Sequence, residues 1–228
     1  HRPRSGTGEP GWRVLVAKIK GARGLVPFLV EKDIPGFHLG RLDDKLGMRG
    51  VGGGEIRLED AIVPIENRVG DEREGHNILI RHYLPLARIG HGAVALGIGE
   101  AALACAIDYI KSKVRFERPF TDFEGIQLML ADMTIKAQAA HSFLYRVTGI
   151  AEQNYNEPKL LDYASMVKCL CGDMAVSVTT DAMQLLGRDG YTREYPVERM
   201  LRDAKAYQLL EGSQQIQRLV IAHGALGI

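Results

Sequence analysis

The sequence has little tryptophan, little cysteine and almost no net charge. One Trp, Trp12, and three cysteines occur in 228 residues, and the formal net charge is +1. Near-neutrality removes any electrostatic argument for nucleic acid or an anionic membrane as partner. The odd cysteine count, with Cys105, Cys169 and Cys171 in apolar helix-like stretches, excludes a disulfide framework and implies buried thiols in a reducing compartment. Cys169-Leu-Cys171 has the wrong spacing for a zinc knuckle, and the seven histidines form no ligand-like pair, so no metal is expected. There is no uninterrupted run of 18 apolar residues, so no membrane span is expected. No signal peptide is visible, and the chain opens on His1 rather than Met, so a fragment or processed product is expected.

What remains is ordinary globular composition, 46% hydrophobic and 25% charged, without internal repeats or low-complexity tracts. The two parts of the chain read differently. Residues 1–75 hold most of the Gly and Pro signals after a core-poor, mobile lead (HRPRSGTGEPG). Strands are expected over 13–19 (RVLVAKI), 25–30 (LVPFLV, with Pro27 at an edge or bulge) and 55–62 (EIRLEDAI). Alternation puts Ile56 and Leu58 on one face of the last, with Glu55, Arg57 and Glu59 on the other. GVGGG at 50–54 lacks the strand-then-helix setting of a nucleotide fingerprint and reads as a loop. Trp12 reads as packing.

Residues 76–228 read as helices. Expected spans are 85–114, 123–155, 158–187 and one opened by Pro196, with Ser213 as N-cap of the last. Gly90, Gly92, Gly97 and Gly99 would serve close helix approach or leave room for a ligand. The fold class is mainly α with a small β part: a partial antiparallel β domain followed by an antiparallel helical bundle.

The stretch LLEGSQQIQRLVIA, 209–222, carries the chemical question. Glu211 stands at a joint where apolar Leu209 and Leu210 meet Gly212, and Ile216, Leu219, Val220 and His223 follow at the spacing of a buried face. Glu211 is either a solvated or capped charge at a structural joint or a base at the mouth of an apolar pocket.

Seven segments in order resemble the acyl-CoA dehydrogenase family. They are FLVEKDIPGFHLGRLDDKLGMRG (28–50), LEDAIVPIENRVGDEREG (58–75), ARIGHGAVALGIGEAALACAIDY (87–109), RFERPF (115–120), IQLMLADM (126–133), QLLGRDGYTREYPVERMLRDAK (184–205) and LLEGSQQIQRLVIA (209–222). The resemblance implies FAD as cofactor and α,β-dehydrogenation of an acyl-CoA thioester. EGSQQIQR resembles the motif whose Glu is the catalytic base, which implies that role for Glu211. Other members place a base near the position of Arg88, where RHYLPLARIGHG has no acid. The base would take the Cα proton while a hydride leaves Cβ for flavin N5. Hydrogen bonds from a flavin hydroxyl and the Glu211 N–H would hold the developing oxyanion. A joint suits this, because a mid-helix N–H is already engaged.

The resemblance also implies contacts. Ser213 and Gln215 match positions that touch FAD at a helix N-terminus. Gln184, Gly187 and Arg188 lie in the motif that meets the adenosine part of a neighbouring subunit's FAD. Lys113, Arg115 and Phe116 lie in the motif that grips a partner's pyrophosphate. Arg88, Leu210 and Gly212 are expected at the substrate. These cross-subunit contacts imply a homodimer or homotetramer, with electron-transfer flavoprotein as oxidant and bacterial cytoplasm or mitochondrial matrix as location. Departures cluster in the FAD motifs. Lys113 stands for Arg, Arg115 for Gln, Glu117 for Gly, and Arg188 for the second Gly of LGG, while Glu124 stands for Gln outside them. Lys lacks a bidentate grip on phosphate, for which Arg115 or Arg188 could substitute. The family's N-terminal helical domain and first half of the β domain have no counterpart before Phe28. The alternative is a non-catalytic assembly subunit that keeps the bundle and has lost FAD.

Overall fold

Antiparallel pairing of short β-branched runs builds the first unit. A computed structural model describes residues 11–18, 25–71 and 74–227. Most of the expected lead, residues 1–10, and the end of the first expected strand at Ile19 lie outside them. The chain divides into two compact units, one ending at Tyr83 and the other beginning at Leu84, later than the expected boundary after residue 75. Strand β1 (Trp12–Ala17) pairs antiparallel with β2 (Val26–Glu31), Trp12 opposite Glu31 and Ala17 opposite Val26. Pro27 is tolerated because β2 lies in a two-stranded sheet, where every strand is an edge. Val26 and Val30 are buried.

Strand β3 (Phe37–Leu42) pairs with β4 (Gly54–Leu58). Nothing in FHLGRL announces a strand, since Gly40 interrupts it. A Cβ there would lie 2.6 Å from Glu55 Oε2, the movable end of an exposed side chain, and 3.0 Å from Glu55 Cβ. Ile56 and Leu58 alternate with Glu55 and Arg57 along β4, and every residue of the strand is exposed. One expectation fails here. Trp12 is not a packing residue, at 48% exposure.

A 3-10 turn at Ile65–Asn67 precedes the main helical part, which starts at Gly75. Helix α1 (Gly75–Asn77) is followed by a π-helical stretch, Ile78–Tyr83, and then by α2 (Leu84–Lys111). The wider turn falls just before Pro85, which has no N–H to give the preceding turn. A window within Gly75–Lys111 reaches a mean hydropathy of 1.6, so this helix is long and apolar enough to cross a membrane, although it has no unbroken apolar run. In this structure 44% of that window is buried.

A two-residue hairpin joins β5 (Val114–Arg115) and β6 (Arg118–Pro119), and α3 (Glu124–Gln153), α4 (Leu160–Leu186), α5 (Val197–Ala206) and α6 (Gln214–Leu226) follow. On α3, Met133, Ala137, Ala140, Leu144 and Val147 recur every three or four residues and are buried. Helix α4 is the hub, packing on α2, α3, α5 and α6.

Side-chain pairs give the directions. Glu100 bonds His141 and Gly92 abuts Leu144, so α2 and α3 are antiparallel. Arg88 meets Ser165, Gly92 meets Val167 and Gly99 meets Met174, so α2 and α4 run parallel, as first and third helices of an up-down-up bundle. Gly92 and Gly99 serve close approach, a Cβ there lying 2.5 Å from Val167 Cγ1 and 2.6 Å from Met174 Sδ, whereas Gly90 and Gly97 face open space.

Candidate active site at the α5–α6 joint

Helix α5 ends in a tightened turn, with Gln208 N–H donating to the Lys205 carbonyl and Leu210 N–H to the Ala206 carbonyl. The chain then takes two consecutive left-handed residues, Glu211 (φ 54°) and Gly212 (φ 89°), before Ser213 caps α6 by accepting from Ile216 N–H at 3.5 Å. Gly212 holds that conformation without strain, and a Cβ there would displace Gln217 Nε2, 2.5 Å away. Glu211 has no such licence, and a non-glycine left-handed residue costs about 1–2 kcal/mol. Such strain, held in place by its surroundings, marks candidate functional positions.

The joint's polar groups are turned to opposite uses. The Glu211 carbonyl accepts from Gln217 Nε2 at 2.8 Å, and the Gly212 carbonyl from Lys168 Nζ at 2.7 Å. Among the described residues, no acceptor is paired with the Glu211 N–H. Arg88 is buried, donates from Nη1 to Ser165 Oγ at 2.7 Å, and leaves Nε without a partner. Burial lowers the Arg88 pKa, and the neighbouring Glu211 carboxylate opposes that shift. Arg88 therefore lies in the field of Glu211 without forming an ion pair to it.

Beneath the joint lies a polar network that sequence reasoning missed. Lys168 is 1% exposed, and besides Gly212 it donates to Gln214 Oε1 at 3.2 Å. Gln214 Nε2 bridges the Cys169 carbonyl and Asp173, which also accepts from Gln208 and Arg218. The available signal was a lone lysine in an apolar helix, SMVKCLCG. The expected buried face of α6 is a correction. Gln214 and Gln217 are buried, while Ile216 and Leu219 are 51% and 55% exposed and His223 is exposed. Gln217 faces inward to donate to the joint's carbonyls, and Gln214 to join Lys168, Asp173 and the Cys169 carbonyl. Leu209 is exposed and Leu210 half-buried.

The other expected cofactor residues gather at the far end of the bundle. Phe116 and Glu117 are both left-handed, at φ 50° and 60°, as a two-residue hairpin turn requires. Phe116 is 89% exposed, and Arg115 is exposed and donates to the carbonyl of Val114. Lys113 lies 3.8 Å from Asp189 and over the Tyr109 ring. Tyr109 donates to Asp189 at 2.8 Å, tying the end of α2 to the segment after α4. Gly187 caps α4 at φ 60°, ψ −129°, a conformation open only to glycine, with exposed Gln184 and Arg188 beside it. At about 1.5 Å per residue, Arg88 and Lys111 stand about 35 Å apart along α2. Arg88 and the β5–β6 hairpin therefore stand at opposite ends of α2.

No group of three or more His, Cys, Asp or Glu side chains is placed to hold a metal among the described residues. In the first unit, a cleft of about 670 Å³ lined by Asp44, Lys45 and Arg49 contains none of the expected site residues.

The second unit is thus an α-helical bundle domain with an acid on a strained joint between its last two helices. Residues 73–226 match the acyl-CoA dehydrogenase C-terminal domain, and the chain belongs to that family. It is 43% identical over 213 residues to an acyl-CoA dehydrogenase of Bacillus subtilis, an alignment covering 93% of this chain and 55% of that protein. The butyryl-CoA dehydrogenase structure from Megasphaera elsdenii superimposes with a TM-score of 0.87 at 37% identity, over 93% of this chain and 55% of that one. A structure described as the electron transferring flavoprotein of Acidaminococcus fermentans gives 0.88 at 39%, over 97% and 58%. The chain spans about half the length of the curated relatives it matches.

Proposed function

We propose that this chain is the catalytic C-terminal portion of an FAD-dependent acyl-CoA dehydrogenase, with Glu211 as the base. The observation that carries this reading is the Glu211 joint: one strained residue presents a carboxylate and a free backbone N–H together. The α-proton of a thioester is weakly acidic. A carboxylate removes it at a useful rate only when the developing oxyanion meets fixed donors. The Glu211 N–H is one such donor, and the carboxylate of the same residue accepts the Cα proton. Leu210 and Gly212 flank the acyl chain, and the buried guanidinium of Arg88 offers its free Nε to the polar end of the site.

The residues present fit a flavin. Ser213 and Gln215 stand at the N-terminus of a 13-residue helix, where N–H groups point outward, and Ile216 and Leu219 leave an apolar strip beside them. Bound there, FAD would accept the Cβ hydride at N5. Lys113, Arg115, Phe116, Gln184, Gly187 and Arg188 stand together where α2 and α4 end, away from Ser213 and Gln215. They are proposed to hold the FAD of a second copy, which makes the assembly a homodimer or a doubled dimer. Electron-transfer flavoprotein is the proposed oxidant, no membrane or nucleic acid is involved, and the setting is bacterial cytoplasm or mitochondrial matrix.

One observation favours the alternative, a non-catalytic assembly subunit: Lys113 is engaged by Asp189 and Tyr109. Visible absorption after adding FAD and gel filtration separates the two. The dehydrogenase reading expects retained flavin bands in the complete protein, bleached by butyryl-CoA without oxygen. A colourless protein that rejects FAD supports the assembly subunit.

A further inference from the structure

The buried network under the joint has no part in the chemistry assigned so far. Lys168 comes from the middle of the hub helix, its ammonium almost wholly removed from water, and its closest partners are a main-chain carbonyl and an amide oxygen rather than a carboxylate. Burying a lysine without an anion in contact is unfavourable, and burial lowers its pKa. A methionine or leucine would fill the same space on α4 at lower cost, so a stabilising role is a poor explanation of the lysine. Its geometry has a narrower consequence. Two donors from different helices, Lys168 Nζ and Gln217 Nε2, take the two successive carbonyls of Glu211 and Gly212. Pinning both carbonyls fixes the two left-handed residues between α5 and α6. It also fixes where the Glu211 carboxylate and N–H point.

We propose that Lys168 and Gln217 act as a positioning pair, a clamp on the Glu211–Gly212 carbonyls that aims the base and its oxyanion donor at the same substrate. This rests on Glu211 being the base. Neither clamp residue takes the proton. They hold the one residue that must place two groups at once, in a left-handed conformation that it would otherwise leave. Gly172 completes the arrangement, since a Cβ there would lie 3.0 Å from the Tyr207 carbonyl and 3.3 Å from Gln214 Nε2.

The test uses the complete flavin-loaded protein and an acyl-CoA analogue with sulfur in place of Cβ, which has no hydride to give. Deuterium uptake at Cα from D2O then reports removal of the Cα proton by the base and return of a deuteron, with no net redox change. Lys168→Met and Gln217→Met are compared with the parent and with Glu211→Gln, each rate normalised to bound flavin. A misplacement of the base by about an ångström is expected to slow exchange by about 10²-fold in each clamp variant. Analogue affinity and flavin content should stay within about threefold, a split that a purely structural lesion would not produce. Exchange at the parental rate per flavin in both clamp variants, alongside loss in Glu211→Gln, overturns the clamp and leaves the base intact. Undiminished exchange in Glu211→Gln overturns the base assignment itself. If Lys168→Met does not fold, Gln217→Met decides alone.

Discussion

Gln214 Nε2 and Asp173 Oδ1 lie 2.8 Å apart, joining the first turn of α6 to the hub helix. Burial alone would raise the Asp173 pKa. Hydrogen bonds from Gln214, Arg218 and Gln208 outweigh it and hold the carboxyl below its ordinary value of 3.8. A depressed folded pKa contributes stability that is complete above the unfolded value and is lost as pH falls through the folded one. Asp173→Asn should therefore be less stable than the parent at pH 6, and the gap should narrow below about pH 4. Melting temperatures from pH 6 to 2.5 check this, and a constant gap would exclude the linkage.

Burial also controls the thiols. Desolvation pushes Cys171 up to about 12, and raises Cys105 and Cys169 as well. At pH 8 only about one Cys171 in 10⁴ would be a thiolate. Mass-spectrometric mapping of thiol alkylation should show Cys105, the half-buried one, reacting first and Cys171 only after unfolding.

The α2 glycines make opposite predictions. Gly92→Ala forces a Cβ against Val167, a stiff β-branched neighbour, and should cost about 1–3 kcal/mol. Gly90→Ala meets nothing and should gain up to about 1 kcal/mol of helix propensity. Denaturant midpoints that ranked the two the other way would contradict the α2–α4 packing.

Much of the bundle was legible because its signals are local. Pro158 and Gly187 bracket α4, Pro196 precedes α5 and Ser213 caps α6, each through backbone chemistry within a few residues. The joint was legible from Gly212. What the sequence could not show was long-range. Strand β3 depends on its pairing with β4, and Lys168 gains its role from residues more than forty positions away. The α6 periodicity misled because Ile216 and Leu219 look like core while the core side carries Gln214 and Gln217. Periodicity identifies an apolar face without saying what covers it.

The hairpin turn supplies a fourth prediction. Glu117 holds a left-handed conformation that suits glycine, and adds an anion beside the proposed phosphate-binding residues. Glu117→Gly should raise FAD affinity and relieve about 1 kcal/mol of backbone strain. Flavin titration by fluorescence reads the first effect, and unchanged affinity would remove this hairpin from the cofactor site.

The central claim is that Glu211 takes the Cα proton. Its most direct test is anaerobic reduction of the bound flavin by butyryl-CoA in the complete protein, parent against Glu211→Gln, followed at the flavin band. The substitution is nearly isosteric, so flavin content and melting temperature should be preserved. Loss of the base should slow reduction by about 10²- to 10⁴-fold. Reduction at the parental rate would place the base elsewhere and contradict the account.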